Sequence, residues 1–185
     1  MASEAPQAPE QSPPQVTASS PPGAAKNSQP PLAEREAQLA KVAFFDGLTA
    51  EALAMIAQVT TEEEHPGGTR LFSYGEPGDK LYIILEGKVR ISREVGGMGE
   101  EALAVLGAGD VFGEMSLLDE SPRSADAHAH ERCRLLVITK DAFDDLLFLH
   151  KDLAYEVLWS CVRMLAARLR ETNDKLTFLS TSGRF

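Results

Sequence analysis

The sequence predicts an α+β fold: an antiparallel β-roll or jelly-roll barrel, preceded by N-terminal helices and followed by a long C-terminal helix. Three observations carry this. Residues 69–138 break into short apolar runs divided by Gly-rich turns, as antiparallel strands do. The stretch before them is rich in strong helix formers. After residue 151, apolar side chains recur at alternating four- and three-residue steps, the spacing of a helical seam.

Each element follows in order. Residues 1–31 hold 8 of the 11 prolines, mixed with Gln, Ser and Ala. Such a segment buries too little apolar surface to offset its ordering entropy, so a disordered tail is expected. The domain then runs over 32–185. Residues 33–44 form a first helix with Leu39 and Val42 on one side, and Asp46-Gly47 breaks it. Thr49 is the N-cap of a second helix that reaches Gln58. Glu62-Glu63-Glu64 reads as a solvated loop. Strands are expected at 80–85 and 88–95 around Glu86-Gly87, then at 102–106, 123–129 and 135–139, with Gly96-Gly97-Met98-Gly99 at a hairpin tip. Asp141 caps a short helix, and a long one covers about 151–179. Its Leu158, Val162, Leu165, Leu169, Leu176 and Leu179, with Thr172 in the remaining slot, form a heptad seam that predicts a homodimer through paired helices.

Composition narrows the function. At 185 residues with 43% hydrophobic content, the chain can bury one core without staples. A net charge of -10 opposes a nucleic-acid footprint. Cys133 and Cys161 lack metal-ligand spacing and read as reduced core thiols. No segment has the run of about 18 apolar residues that a membrane span needs, and a cytoplasmic protein is expected.

The most informative stretch is Phe112-Gly113-Glu114-Met115-Ser116-Leu117-Leu118-Asp119-Glu120-Ser121-Pro122-Arg123-Ser124. Gly113 admits close approach of a ligand to the backbone. Glu114 offers a planar acceptor suited to a sugar hydroxyl. Residues 115–118 can make one helical turn whose free amides attract a phosphate. Arg123 supplies a forked, permanently charged donor, and Ser124 adds a hydroxyl and an amide beside it.

Gly113-Glu114 with Arg123-Ser124, Arg123 nine positions after Glu114, resembles the phosphate-binding cassette of cyclic nucleotide-binding domains. Leu81-Tyr82-Ile83-Ile84-Leu85-Glu86-Gly87 is similar to that family's strand–turn–strand motif, and Ser73-Tyr74-Gly75-Glu76-Pro77-Gly78-Asp79 to the turn before it. From about Lys41 onward the pattern is like the sensor domain of bacterial cAMP receptor protein-type regulators. The resemblance implies that Glu114 binds the ribose 2′-hydroxyl and Arg123 the cyclic phosphate. The amide at Ser116 and the amide or hydroxyl of Ser124 would complete the phosphate cage, with Gly113 and Met115 also among the ligand-binding residues. It further implies that Thr172 contacts the base edge, and that Asn173 stands where a serine reaches the ligand of the other subunit. The threonine, and serine rather than threonine at Ser124, place cAMP ahead of cGMP. No cofactor is implied beyond that ligand.

Other sites are weaker. His128 and His130 share a strand face with Asp126, but Ala125, Ala127 and Ala129 form the inward side, so the histidines point to solvent. Gly107-Ala108-Gly109 misses dinucleotide-fold spacing. No nucleophile–base arrangement argues for catalysis. The expectation is a non-catalytic sensor, most simply for cAMP, that repositions its C-terminal helices to regulate an effector protein. The alternatives are a ligand-independent interaction module, or a transcription regulator without its helix-turn-helix, since none follows Arg184.

Overall fold

A computed structural model of the protein describes residues 26–96 and 99–182. Two antiparallel sheets face each other. One has the order β1 (Lys26–Ser28), β2 (Thr61–His65), β9 (Cys133–Thr139), β4 (Lys80–Glu86), β7 (Val111–Phe112). The other runs β3 (Arg70–Phe72), β8 (Asp126–Ala129), β5 (Val89–Val95), β6 (Gly99–Leu106). Between them lies a core of Tyr82, Ile84, Val89, Phe112, Ala127 and Leu135. The outer face of the first sheet packs on α1 (Leu32–Leu39), α2 (Ala50–Gln58), α4 (Lys140–Leu149) and α5 (Lys151–Ser182). This explains the unbroken run Leu81-Tyr82-Ile83-Ile84. Leu81 and Ile83 face the helices while Tyr82 and Ile84 face the barrel, so neither side meets water.

The second sheet keeps its outer face solvated, and β8 alternates accordingly: Ala127 and Ala129 are buried while Asp126 and His128 are partly exposed. The inward alanines and outward histidines stand as the sequence places them. The hairpin tip keeps Gly96 in its turn, and residues 97–98 lie outside the described ones.

Local signals set most boundaries. The Thr49 hydroxyl accepts from the Ala52 amide at 3.2 Å and starts α2 one residue later, as expected. The first helix is shorter than 33–44: α1 ends at Leu39, and 43–45 make a separate 3-10 turn. Arg35 of α1, itself buried, donates to the carbonyls of Ala57 at 2.8 Å and of Thr60, satisfying buried acceptors at and just beyond the C-terminal end of α2.

Four expectations need correction. Arg123 lies in the loop before β8, which spans only Asp126–Ala129, because its backbone bonds to the turn at Gly75 and Glu76 instead of to a sheet partner. The cap of α4 is Thr139, whose hydroxyl accepts from the Ala142 amide; Asp141 sits in the first turn, where negative charge is favourable. The sheet begins at Lys26, inside the segment 1–31 expected as tail, and residues 1–25 of that segment lie outside the described residues. Glu62-Glu63-Glu64 forms β2, with Glu62 and Glu63 buried. Three consecutive carboxylates fit a strand because each meets a cation. Arg134 Nε lies 2.9 Å from Glu62, Arg132 2.7 Å from Glu64, and Lys80 Nζ 3.1 Å from Glu63, which also has His65 Nε2 at 2.9 Å.

The His65 hydrogen bond holds the Glu63 carboxyl below its usual value, aided by Lys80 and against the effect of burial. A depressed folded-state pKa contributes stability that is complete above the unfolded value near about 4.3 and lost as pH falls through the folded value. Melting temperature is therefore expected to decline as acidity rises below about pH 5, and Glu63→Gln to flatten that part of the profile in a thermal-melt series.

Candidate functional site

The residues picked out around Glu114 converge at the end of the barrel where the chain crosses from one sheet to the other. β7 ends at Phe112, a single turn α3 (Met115–Asp119) follows, and the loop through Arg123 leads to β8. A cavity of ≈ 150 Å³ there is lined by Gly113, Glu114, Met115, Ser116, Arg123 and Ser124, six of the eight expected residues.

Arg123 is the anchor. It is 2% exposed, and its guanidinium donates to the carbonyls of Gly113 at 2.9 Å and Lys80 at 2.8 Å, with Asp79 at 3.6 Å. The guanidinium also lies 4.2 Å over the Phe72 ring. Burial lowers its pKa, an effect opposed by Tyr82, Asp79 and Glu114. Its Nε is buried and has no hydrogen-bond partner among the described residues. A desolvated donor left free in this way costs stability unless a ligand supplies the acceptor.

Two glycines make the packing possible. At Gly113, φ is +80°, and a Cβ would come within 2.8 Å of Arg123 Nη1 and 2.9 Å of the Lys80 carbonyl. Its role is thus to make room for the arginine rather than directly for a ligand. At Gly78 a Cβ would fall 2.1 Å from that of Ser116, so only glycine lets the preceding turn brace α3 from behind.

Glu114 is also 2% exposed. Its Oε1 accepts from Arg168 Nη1 at 2.6 Å, and Arg168 Nη2 reaches the Val111 carbonyl. Arg168 is the functional residue that the sequence reading missed. It brings α5 down onto the cassette. Ser116 is buried, whereas Met115 and Ser124 are exposed and touch through Ser124 Oγ and Met115 Sδ at 3.7 Å.

Thr172 lines an adjoining trough of ≈ 770 Å³ between β6 and α5, its hydroxyl donating to the Arg168 carbonyl at 2.9 Å. Asn173 is exposed on α5 and is not among the residues lining either cavity. Cys161 is a free, buried thiol on α5; burial, with Glu114 contributing, pushes its pKa up to about 11, so it stays protonated and inert at neutral pH. Cys133 is likewise free and buried. Among the described residues no group of His, Cys, Asp or Glu is arranged to hold a metal, and no helix is long and apolar enough to cross a membrane.

A buried arginine with a spare donor and a buried carboxylate thus line one cavity on a single loop. The chain belongs to the cyclic nucleotide-binding domain family. Residues 62–150 match the model of that family. The CRP-like cAMP-activated global transcriptional regulator of Mycobacterium tuberculosis is 35% identical over 141 residues, 76% of this chain and 61% of the relative. The cyclic AMP receptor protein of Thermus thermophilus is 40% identical over 136 residues, 74% of this chain and again 61% of the relative. The chain therefore spans about three fifths of these relatives' length. A crystal structure of a cyclic nucleotide-binding domain from Methylobacillus flagellatus superposes with a TM-score of 0.70 at 30% identity, covering 79% of this chain and 82% of that one.

Proposed function

We propose that this protein is a non-catalytic cyclic nucleotide sensor, with cAMP as its preferred ligand. The observation that carries the reading is the buried Arg123 with an unpartnered Nε, a residue lining the same cavity as the buried Glu114. Arg123 and the Ser116 and Ser124 groups would hold the cyclic phosphate, and Glu114 would accept from the ribose 2′-hydroxyl. Two relatives that share this region, at 35% and 40% identity, are named for cAMP, which supports cAMP as the ligand. Isothermal titration with cAMP and cGMP tests it. Saturable binding at low micromolar or tighter, with cAMP preferred, is expected; no heat with either ligand overturns it.

The signalling step follows from where Arg168 sits. Phosphate binding draws the loop 113–124 inward, Glu114 moves with it, and the Arg168 pair carries the change into α5. α4 and α5 then repack over the base near Thr172. A ligand shifts this equilibrium only by its differential affinity for the two states. The output is passed to an effector protein in the cytoplasm, without membrane or nucleic-acid contact by this domain. Glu114→Gln is expected to weaken ribonucleotide binding by about tenfold, roughly one charge-assisted hydrogen bond, and to change 2′-deoxy analogues less. Equal losses for both ligands would take the 2′-hydroxyl away from Glu114.

The second part of the proposal is a homodimer through α5. Leu158, Val162, Leu169 and Leu176 are 45%, 53%, 61% and 57% exposed in the single chain, as is Tyr155 one heptad step before Val162, at 65%. Such a stripe on a 32-residue helix needs a partner. In the pair, Asn173 flanks the seam. Val162→Asp with Leu169→Asp should convert a dimer into a folded monomer in light-scattering chromatography. An unchanged mass would remove the seam.

A further inference from the structure

The ring beneath the cassette arginine owes its place to a bulge in the sheet. β3 stands at the edge of its sheet, next to β8. Arg70 pairs with His128 and Phe72 with Ala127, so two steps along β3 answer one along β8. Residues two apart on a regular strand share a face. Phe72 would then stand beside Arg70 on the solvated side, where Arg70 is exposed. The extra residue instead turns Phe72 inward, opposite the fully buried Ala127. Leu71 and Phe72 consequently both pack on the core between the sheets, although they are neighbours in the chain.

The ring is held from across the barrel. Tyr82 and Phe112, paired between β4 and β7, stack with centroids 4.9 Å apart. The Phe72 ring lies 5.9 Å from the first and 6.0 Å from the second. The same strands supply the carbonyls that hold Arg123: Lys80 stands two residues before Tyr82, and Gly113 follows Phe112. Two hydrogen bonds leave a planar group free to tilt about the line between them. The Phe72 ring, with Arg123 Cζ 4.2 Å from its centroid, supplies the third contact that stops the tilt. Its negative face also offsets part of the cost of burying a cation.

We propose that Phe72 is a positioning residue for ligand binding, acting through Arg123. The charge–ring contact fixes the guanidinium so that its unpartnered Nε meets an anion without reorganisation, and it stabilises Arg123 in the ligand-free protein. The effect on affinity rests on the cyclic nucleotide reading above, whereas the effect on the free protein does not.

The test changes the charge distribution of the ring and leaves its shape alone. In the full chain Phe72 is replaced by phenylalanine carrying one, two and three ring fluorines, which draw electrons from the π face at nearly constant volume. Each variant is titrated with cAMP and melted without ligand, and the melts are repeated in the Arg123→Ala background. Affinity should fall stepwise with fluorine number, by about fivefold or more at three. Phe72→Leu should lose at least as much. Melting temperature should fall in the same order with Arg123 present and stay level in Arg123→Ala. Level affinity across the series overturns the proposal, since Phe72 would then only fill space. Wild-type binding by Phe72→Leu overturns it too, as does a melting trend that persists without Arg123. If cAMP fails to bind the unmodified protein, the cyclic nucleotide reading falls, and the melts alone decide whether Phe72 holds Arg123.

Discussion

Arg123→Ala is expected to abolish binding at micromolar cyclic nucleotide. On the proposed function, the phosphate would lie in a cavity where Arg123 and Glu114 are each 2% exposed, so water would replace the lost donor poorly. Truncating one member of a desolvated charge pair costs about 2–5 kcal/mol, or roughly 30- to several-thousand-fold in affinity. Arg123→Lys separates charge from shape. An ammonium keeps the attraction but cannot donate to the Gly113 and Lys80 carbonyls and the ligand at once, so a partial loss is expected. Titration calorimetry reads both variants, and a melt without ligand confirms that each is folded. Wild-type affinity in the alanine variant would mean that the phosphate is held elsewhere, and the proposed function would fall.

The parts of the site that were legible in the sequence are those built from neighbours in the chain. Gly113, Glu114, Ser116, Arg123 and Ser124 lie on one loop, and spacing alone brings them to one cavity. Thr49 was legible for the same reason, since a cap acts three residues ahead of itself. What escaped depends on distant partners. Glu62 and Glu63 look like solvent-facing charges until Arg134, 72 positions on from Glu62, and Lys80, 17 on from Glu63, are brought beside them. Arg168 meets Glu114 across 54 positions. One local signal did exist: it stands one helical turn before Thr172, on the same face of α5, and the family resemblance already assigned Thr172 an expected contact with the base. At Thr139 and Asp141 both residues are good caps, and only backbone geometry decides between them.

Arg168→Ala should destabilise the free protein more than it disturbs any contact on α5 itself. The substitution strands the Glu114 carboxylate, 2% exposed, without its cationic partner, while Arg168 gives up a side chain that is 34% exposed. Breaking a fully buried pair costs about 3–5 kcal/mol, and partial exposure of the arginine moves the expectation to about 2–3 kcal/mol. For a domain of this size that is roughly 5–10 °C in melting temperature. Binding should fall as well, because Glu114 is no longer oriented for a ribose hydroxyl and α5 no longer senses the loop. A double-mutant cycle separates these effects. Glu114→Gln in the Arg168→Ala background replaces the stranded charge with a neutral amide and should recover most of the lost stability without restoring affinity. If the two substitutions simply add, the pair is not coupled, and the link from cassette to helix must run through α3 and the barrel instead.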